Sequence, residues 1–167
     1  MRPLPRILLA GLAGLALAAP VAVFGQRADD QIQPKSVELQ REARTLMTAG
    51  KLEQADDVLE TALAVDPRNR GAFVDLARVA QKQHLFGKAI RMTNKALAME
   101  PNDPDAIAIQ GEAMVEMGAT ARAQANLQKL QTVCGGKACP QLAQLSAAIS
   151  RGPTVASAKA PESPKTN

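Results

Sequence analysis

Cys134 and Cys139 are the only cysteines in the 167-residue chain, and Gly135 and Gly136 lie between them. Two thiols this close form a disulfide in an oxidising compartment, and the glycines free the backbone to bring the sulfurs together. Thiol catalysis is a weak reading, because the spacing is not C-x-x-C and no strand–helix context surrounds it. A zinc site is weaker still: His84 is the sole histidine and lies in a turn remote from both cysteines. One turn histidine cannot complete a Ser/His/Asp arrangement, and no phosphate-binding loop is present. Asp29-Asp30 falls in a linker and Asp56-Asp57 on a solvated helix face, where nothing desolvates a carboxylate. These residues imply no enzyme, no metal and no cofactor.

Other side chains could bind rather than react. Charged side chains recur along the helical stretches of the chain. Such a series could meet a partner of complementary charge, although charges also serve simply as a solvated helix face. Nucleic acid is excluded as the partner. The net charge of +4 falls to +2 over residues 26–167 once Arg2 and Arg6 are set aside, and the chain has no Trp, no Tyr and no basic run.

Arg2 and Arg6 belong to a separate object. They precede an uncharged stretch from Ile7 to Gly25, the layout of a secretory signal over residues 1–25. Cleavage after Gly25 or after Ala18 satisfies the small-residue rule; the alternative is an uncleaved anchor that just spans a bilayer. No cysteine stands near either cleavage point, which argues against lipoprotein processing. Either way the remainder is exported, with the bacterial periplasm as the expected compartment.

The elements that must position these side chains are helical. Ala and Leu dominate the apolar content while aromatics are scarce, which suits closely packed helices better than strands. A polar linker over 26–35 ends in Gln33-Pro34-Lys35, and Ser36 is the expected N-cap of the first helix. Apolar periodicity then runs through Leu39, Ala43 and Leu46 to Gly50. A second helix from Leu52 buries Ala55, Leu59 and Ala62 and closes at Asp66-Pro67, because the residue before proline leaves helical space.

This plan repeats every 34 residues. Ala43, Ala55, Ala62 and Asp66-Pro67 answer to Ala77, Ala89, Ala96 and Glu100-Pro101, and a third copy continues with Gly111, Ala123 and Leu130. Asp103 should cap the third unit, with Pro104 at the first helical position. A fixed period of this length means stacked units, not one closed globule. Three units occupy 36–133 (36–69, 70–103 and 104–133). Residues 134–151 hold the cysteine turn and a capping helix with Leu142, Leu145 and Ile149 on one face. Residues 152–167 lack large apolar side chains beyond Val155, and this tail is expected to be disordered.

The period, the small residues at Ala43, Ala77 and Gly111, and the alanines at 55, 89 and 123 resemble the tetratricopeptide repeat (TPR). The resemblance covers about residues 36–133; most family aromatics are replaced here, Phe73 excepted. It implies an all-α, right-handed solenoid of about three helix pairs plus a C-terminal capping helix. It also implies a concave groove lined by the first helix of each pair: Val37, Gln40, Arg41, Arg44 and Met47, then Val74, Asp75, Arg78 and Lys82, then Asp105, Ala108, Glu112 and Glu116. That groove would be basic at the front and acidic at the back, fitting an extended peptide of mixed charge or one with an acidic segment that meets Arg41, Arg44, Arg78 and Lys82. The family's chaperone-tail clamp is not implied, since Gln40, Arg44, Asp75, Asp105 and Ile109 stand at its positions. The expected function is an exported adaptor or assembly factor that binds a protein or peptide. The alternatives are a self-associating structural array, hence a homo-oligomer, and a membrane-tethered scaffold.

Overall fold

A computed structural model describes residues 31–154. The leader, residues 26–30 of the linker and the tail from residue 155 lie outside the described residues, as do the expectations of cleavage, of anchoring and of disorder beyond residue 154. Seven helices follow in order: α1 (Pro34–Thr48), α2 (Leu52–Val65), α3 (Arg70–Lys82), α4 (Phe86–Met99), α5 (Pro104–Glu116), α6 (Thr120–Cys134) and α7 (Pro140–Arg151). Among the described residues there is no strand, and no helix is long and apolar enough to cross a membrane.

The helix boundaries follow local chemistry. Asn69 and Asp103, one period apart, cap α3 and α5 by accepting the amides of Ala72 and Ala106. Each such side chain satisfies one of the orphan N–H groups of a first turn. Between the helices of each pair the chain passes once through left-handed space, at Gly50, His84 and Gly118. The start of α1 departs from expectation. Gln33 is the N-cap and Pro34 opens the helix, so Ser36 lies one turn inside, fully buried. Proline fixes the φ that a first helical residue needs, and the hydroxyl takes other work. Ser36 Oγ donates to the Ala62 carbonyl at 2.7 Å and accepts from Asn69 Nδ2 at 2.9 Å. It pins α1 to α2 and to the cap of α3.

The pairs α1–α2, α3–α4 and α5–α6 pack face to face, and α7 lies against both α5 and α6. α1, α3, α5 and α7 also touch in sequence, forming one continuous row, whereas α2, α4 and α6 do not approach one another in that way. The closer row is the inner, concave side. Periodic small residues permit this closeness: Ala43, Ala55, Ala62, Ala77, Ala89, Ala96 and Ala123 are all completely buried. On the outer side Lys88 of α4 reaches Asp56 of α2 at 2.6 Å and Glu60 at 3.3 Å. Burial works against the Lys88 ammonium, yet Asp56 and then Glu60 outweigh it, so its pKa rises. Asp56 is therefore not on a solvated face; it is half-buried in an inter-repeat ion pair.

The last turn of the stack is closely packed. A Cβ added at Gly111 of α5 would stand 2.7 Å from both δ-carbons of Leu145 on α7. Leu145 is fully buried among Ile107, Ala108 and Leu130, and it covers the apolar face that a third pair leaves open.

Candidate functional site

Asp75 of α3 lies at the centre of the inner row and is only 1 % exposed. A buried carboxylate is tolerated only when its lone pairs are satisfied. Here three donors converge on it. Gln40 Nε2 and Arg44 Nε of α1 each donate to Oδ2 at 2.7 Å, and Arg78 Nη1 donates to Oδ1 at 3.0 Å. Arg78 then extends Nη2 to Asp105 Oδ1 of α5 at 2.9 Å, and Gln141 of α7 donates to the same oxygen at 3.0 Å. One polar chain thus crosses all four inner helices.

This chain changes the charge expected of the groove. Arg44 and Arg78 are held by Asp75, and Arg78 also by Asp105, so the front of the groove is not a free basic cluster. Lys82 is different: it is exposed and forms no ion pair among the described residues. Glu112 accepts from Gln81 Nε2 at 2.6 Å, an uncharged donor, and forms no ion pair among the described residues. Two depressions lie along the row. One, about 370 Å³, is walled by Arg44, Met47, Asp75, Arg78 and Lys82. The other, about 340 Å³, sits between α3, α5 and α7, with buried Ala108 and Ile109 beside Lys82, Glu112, Gln81, Gln141 and Gln144.

Of the residues expected from sequence, Arg44, Arg78, Lys82 and Glu112 therefore meet on one surface. Arg41 is exposed but lines neither depression. Glu116 stands at the far end of α5, where its carboxylate accepts the Thr154 amide and hydroxyl, both at 2.8 Å. Sequence reading missed the contribution of α7. Gln141 and Gln144, beside the apolar Leu142 and Leu145, carry the only signal: a polar edge on a helix otherwise read as a cap.

A larger depression of about 500 Å³ opens at the edge of the array, near Arg44, Arg68, Arg70 and Met99. Its guanidinium groups are engaged by buried carboxylates: Arg44 by Asp75, Arg68 by Asp66, and Arg70 by Asp103. Asp66 is held well below the usual carboxylate range, first by the Arg68 side chain, then by the amides of Gln33 and Arg68. Arg44–Asp75 ties α1 to α3 and Arg70–Asp103 ties α3 to the cap of α5, Arg68–Asp66 closes the turn before α3, and Glu100 on the rim adds a further negative charge. The inner row is the better candidate.

At the end of α6, Cys134 and Cys139 are joined as a disulfide, their Cα atoms 6.0 Å apart. Cys139 is also the N-cap residue of α7.

A tetratricopeptide-repeat profile matches residues 46–112. Among solved structures, the TPR2B domain of yeast Sti1, in a complex with pHsp70, superposes with a TM-score of 0.66 at 21 % identity, covering 71 % of this chain and 98 % of that one. The Sgt2 TPR domain of Aspergillus fumigatus gives 0.66 at 20 % identity, covering 71 % and 79 %. The type III secretion translocator chaperone SycD of Yersinia enterocolitica gives 0.64 at 20 % identity, covering 69 % and 81 %. At these identities the likeness is one of fold. No curated protein matches the chain by sequence.

Proposed function

We propose that this chain, whose helix pairs are tetratricopeptide repeats, is an exported, non-catalytic adaptor or assembly factor that holds an extended peptide segment in its inner row. The carrying observation is the depression between α3, α5 and α7, where an apolar floor of Ala108 and Ile109 lies beside Lys82, Glu112 and three glutamines. Amide side chains both donate and accept, so Gln81, Gln141 and Gln144 suit the N–H and C=O groups of an extended backbone. Lys82 suits an acidic side chain of that segment, and Glu112 a basic one. Export is supported by the N-terminal pattern of residues 1–25 and by the cysteine pair, whose oxidised form persists outside reducing compartments.

The structural relatives include domains in complex with peptides, among them a TPR of Spaghetti (RPAP3) bound to the HSP90 peptide SRMEEVD. They support peptide binding as a use of this architecture; the residues lining the groove here set a different specificity. The test is a photo-crosslinker at Gln144, an exposed position on the groove wall. Crosslinked species are captured from the native envelope and mapped by mass spectrometry. Capture of one protein through a defined segment is expected. Reversal of both charges (Lys82→Glu with Glu112→Lys) should lower that capture more than tenfold, about 1.4 kcal/mol; undiminished capture sinks the assignment.

A further inference from the structure

We infer that the Cys134–Cys139 disulfide is a redox latch on the groove, holding α7 in place as a removable wall. The consequence for a bound peptide rests on the proposed function above, whereas the latch itself rests on how α7 is attached. That helix is fixed at four places, one of them the Gln141–Asp105 hydrogen bond of its first turn. Its front end is tied to the last residue of α6 by the disulfide. Its middle is seated by Leu145 against Gly111. Beyond its rear end, Thr154 bonds to Glu116.

Apart from the single Gln141–Asp105 hydrogen bond, the front attachment has little else behind it. Residues 135–138 are all exposed, and they make a single backbone hydrogen bond beyond the helix end, from the Lys137 amide to the Cys134 carbonyl. Gly135 and Gly136 both sit in left-handed conformations, so nothing stiff spans the turn once the sulfurs part. α7 has only twelve residues, too few to persist as an isolated helix. Of its apolar face, Leu145 and Ala148 are buried while Leu142 and Ile149 stay partly exposed. The first turn of α7 is also what the groove uses: Pro140 and Gln141 line it, with Gln144 one turn on. Loss of that turn removes the Gln141 donor from Asp105 and opens one side of the depression.

A dithiol operates the latch. It gives up two electrons and two protons and closes its own disulfide, while the Cys134–Cys139 bond breaks into two thiols. The six-residue loop restricts the undocked states of α7, and releasing it shifts the docking equilibrium on the order of 30-fold. By linkage, anything that grips Gln141 and Gln144 in the groove makes the disulfide harder to reduce.

Amide hydrogen exchange on the full chain, oxidised and in dithiothreitol, tests this. The expected result is exchange on the order of 30 times faster across residues 142–149 after reduction, with α1 to α4 unchanged and protection restored on reoxidation. Cys134→Ser with Cys139→Ser should exchange fast with or without the dithiol. If that variant folds poorly, the reversible reduction of the native chain still decides. Equal α7 exchange in both redox states overturns the latch, and so does a uniform acceleration across all seven helices. The groove assignment fails separately: its crosslinking test can fail with the exchange result intact, and the reverse.

Discussion

Replacing Gly111 by alanine builds a Cβ at 2.7 Å from two carbons of Leu145 and 3.3 Å from a third. Carbon atoms settle at about 3.5–4.0 Å, so α5 and α7 must separate by roughly 1 Å or Leu145 must turn. Turning is costly, because Leu145 is fully buried against Ile107, Ala108 and Leu130. The overpacking penalty is ~1–3 kcal/mol. Alanine returns about 1 kcal/mol through its better helix propensity, so the net loss is ~0–2 kcal/mol. That interval includes small values, so the single variant is a weak test and a cycle is needed. Leu145→Ala alone opens a cavity and costs ~2–5 kcal/mol. Combined with Gly111→Ala, the new methyl enters space that the leucine has left, and the pair should be less damaging than the sum by at least ~1 kcal/mol. Urea denaturation of the four proteins, with the m-value checked for constancy, reads this directly. If Gly111→Ala is stabilising by the full ~1 kcal/mol and strictly additive with Leu145→Ala, the seat of α7 is not at Gly111.

Two further outcomes follow from the buried carboxylates. Asp75→Asn removes the charge on which Gln40, Arg44 and Arg78 converge. The arginines are partly exposed and recover hydration, so the loss is about 2 kcal/mol in urea midpoint analysis and not the larger figure of a fully buried pair. Arg41→Ala should stay within about 0.5 kcal/mol as the control, and equal effects at both sites would refute the central role of Asp75. Asp66 has a lowered folded pKa, so its contribution is complete above the unfolded value of about 3.9 and fades as pH falls below it. The melting temperatures of the native chain and Asp66→Asn should therefore converge on acidification from pH 5 to pH 2; a constant gap would show that charge is not what Asp66 supplies.

The repeat architecture was legible because close helix packing depends on side-chain volume at fixed positions, and Ala43, Ala77 and Gly111 state that volume directly. Caps at Asn69 and Asp103 follow the same local logic, although only Asp103, with Pro104 directly behind it, carries a clear start signal in the sequence. Ser36 misled because a hydroxyl that caps a helix and one that bonds a neighbouring carbonyl are the same residue type; only the fold distinguishes them. The charge of the groove was misread for a related reason. Arg44 lies in one repeat and Asp75 in the next, and nothing in a helix-by-helix tally shows that the second is buried beneath the first. The groove face of α7 was hidden because that helix was read only as a lid for apolar surface.

On the proposed function, the paired arginines also bear on how a peptide would be chosen. A free basic cluster attracts any anion through long-range field, with little regard for shape. Here an incoming carboxylate must compete with Asp75 and Asp105 for guanidinium groups already bonded at 2.7–3.0 Å. Little net charge is left to reward that exchange. Discrimination therefore passes to the groups left unmatched: Lys82, the charge of Glu112, and the amides of Gln81, Gln141 and Gln144. All of these act at hydrogen-bonding range, where the direction and spacing of a peptide are read together. Two of the three glutamines belong to α7, so the helix latched by the disulfide is also the one that supplies much of this short-range reading.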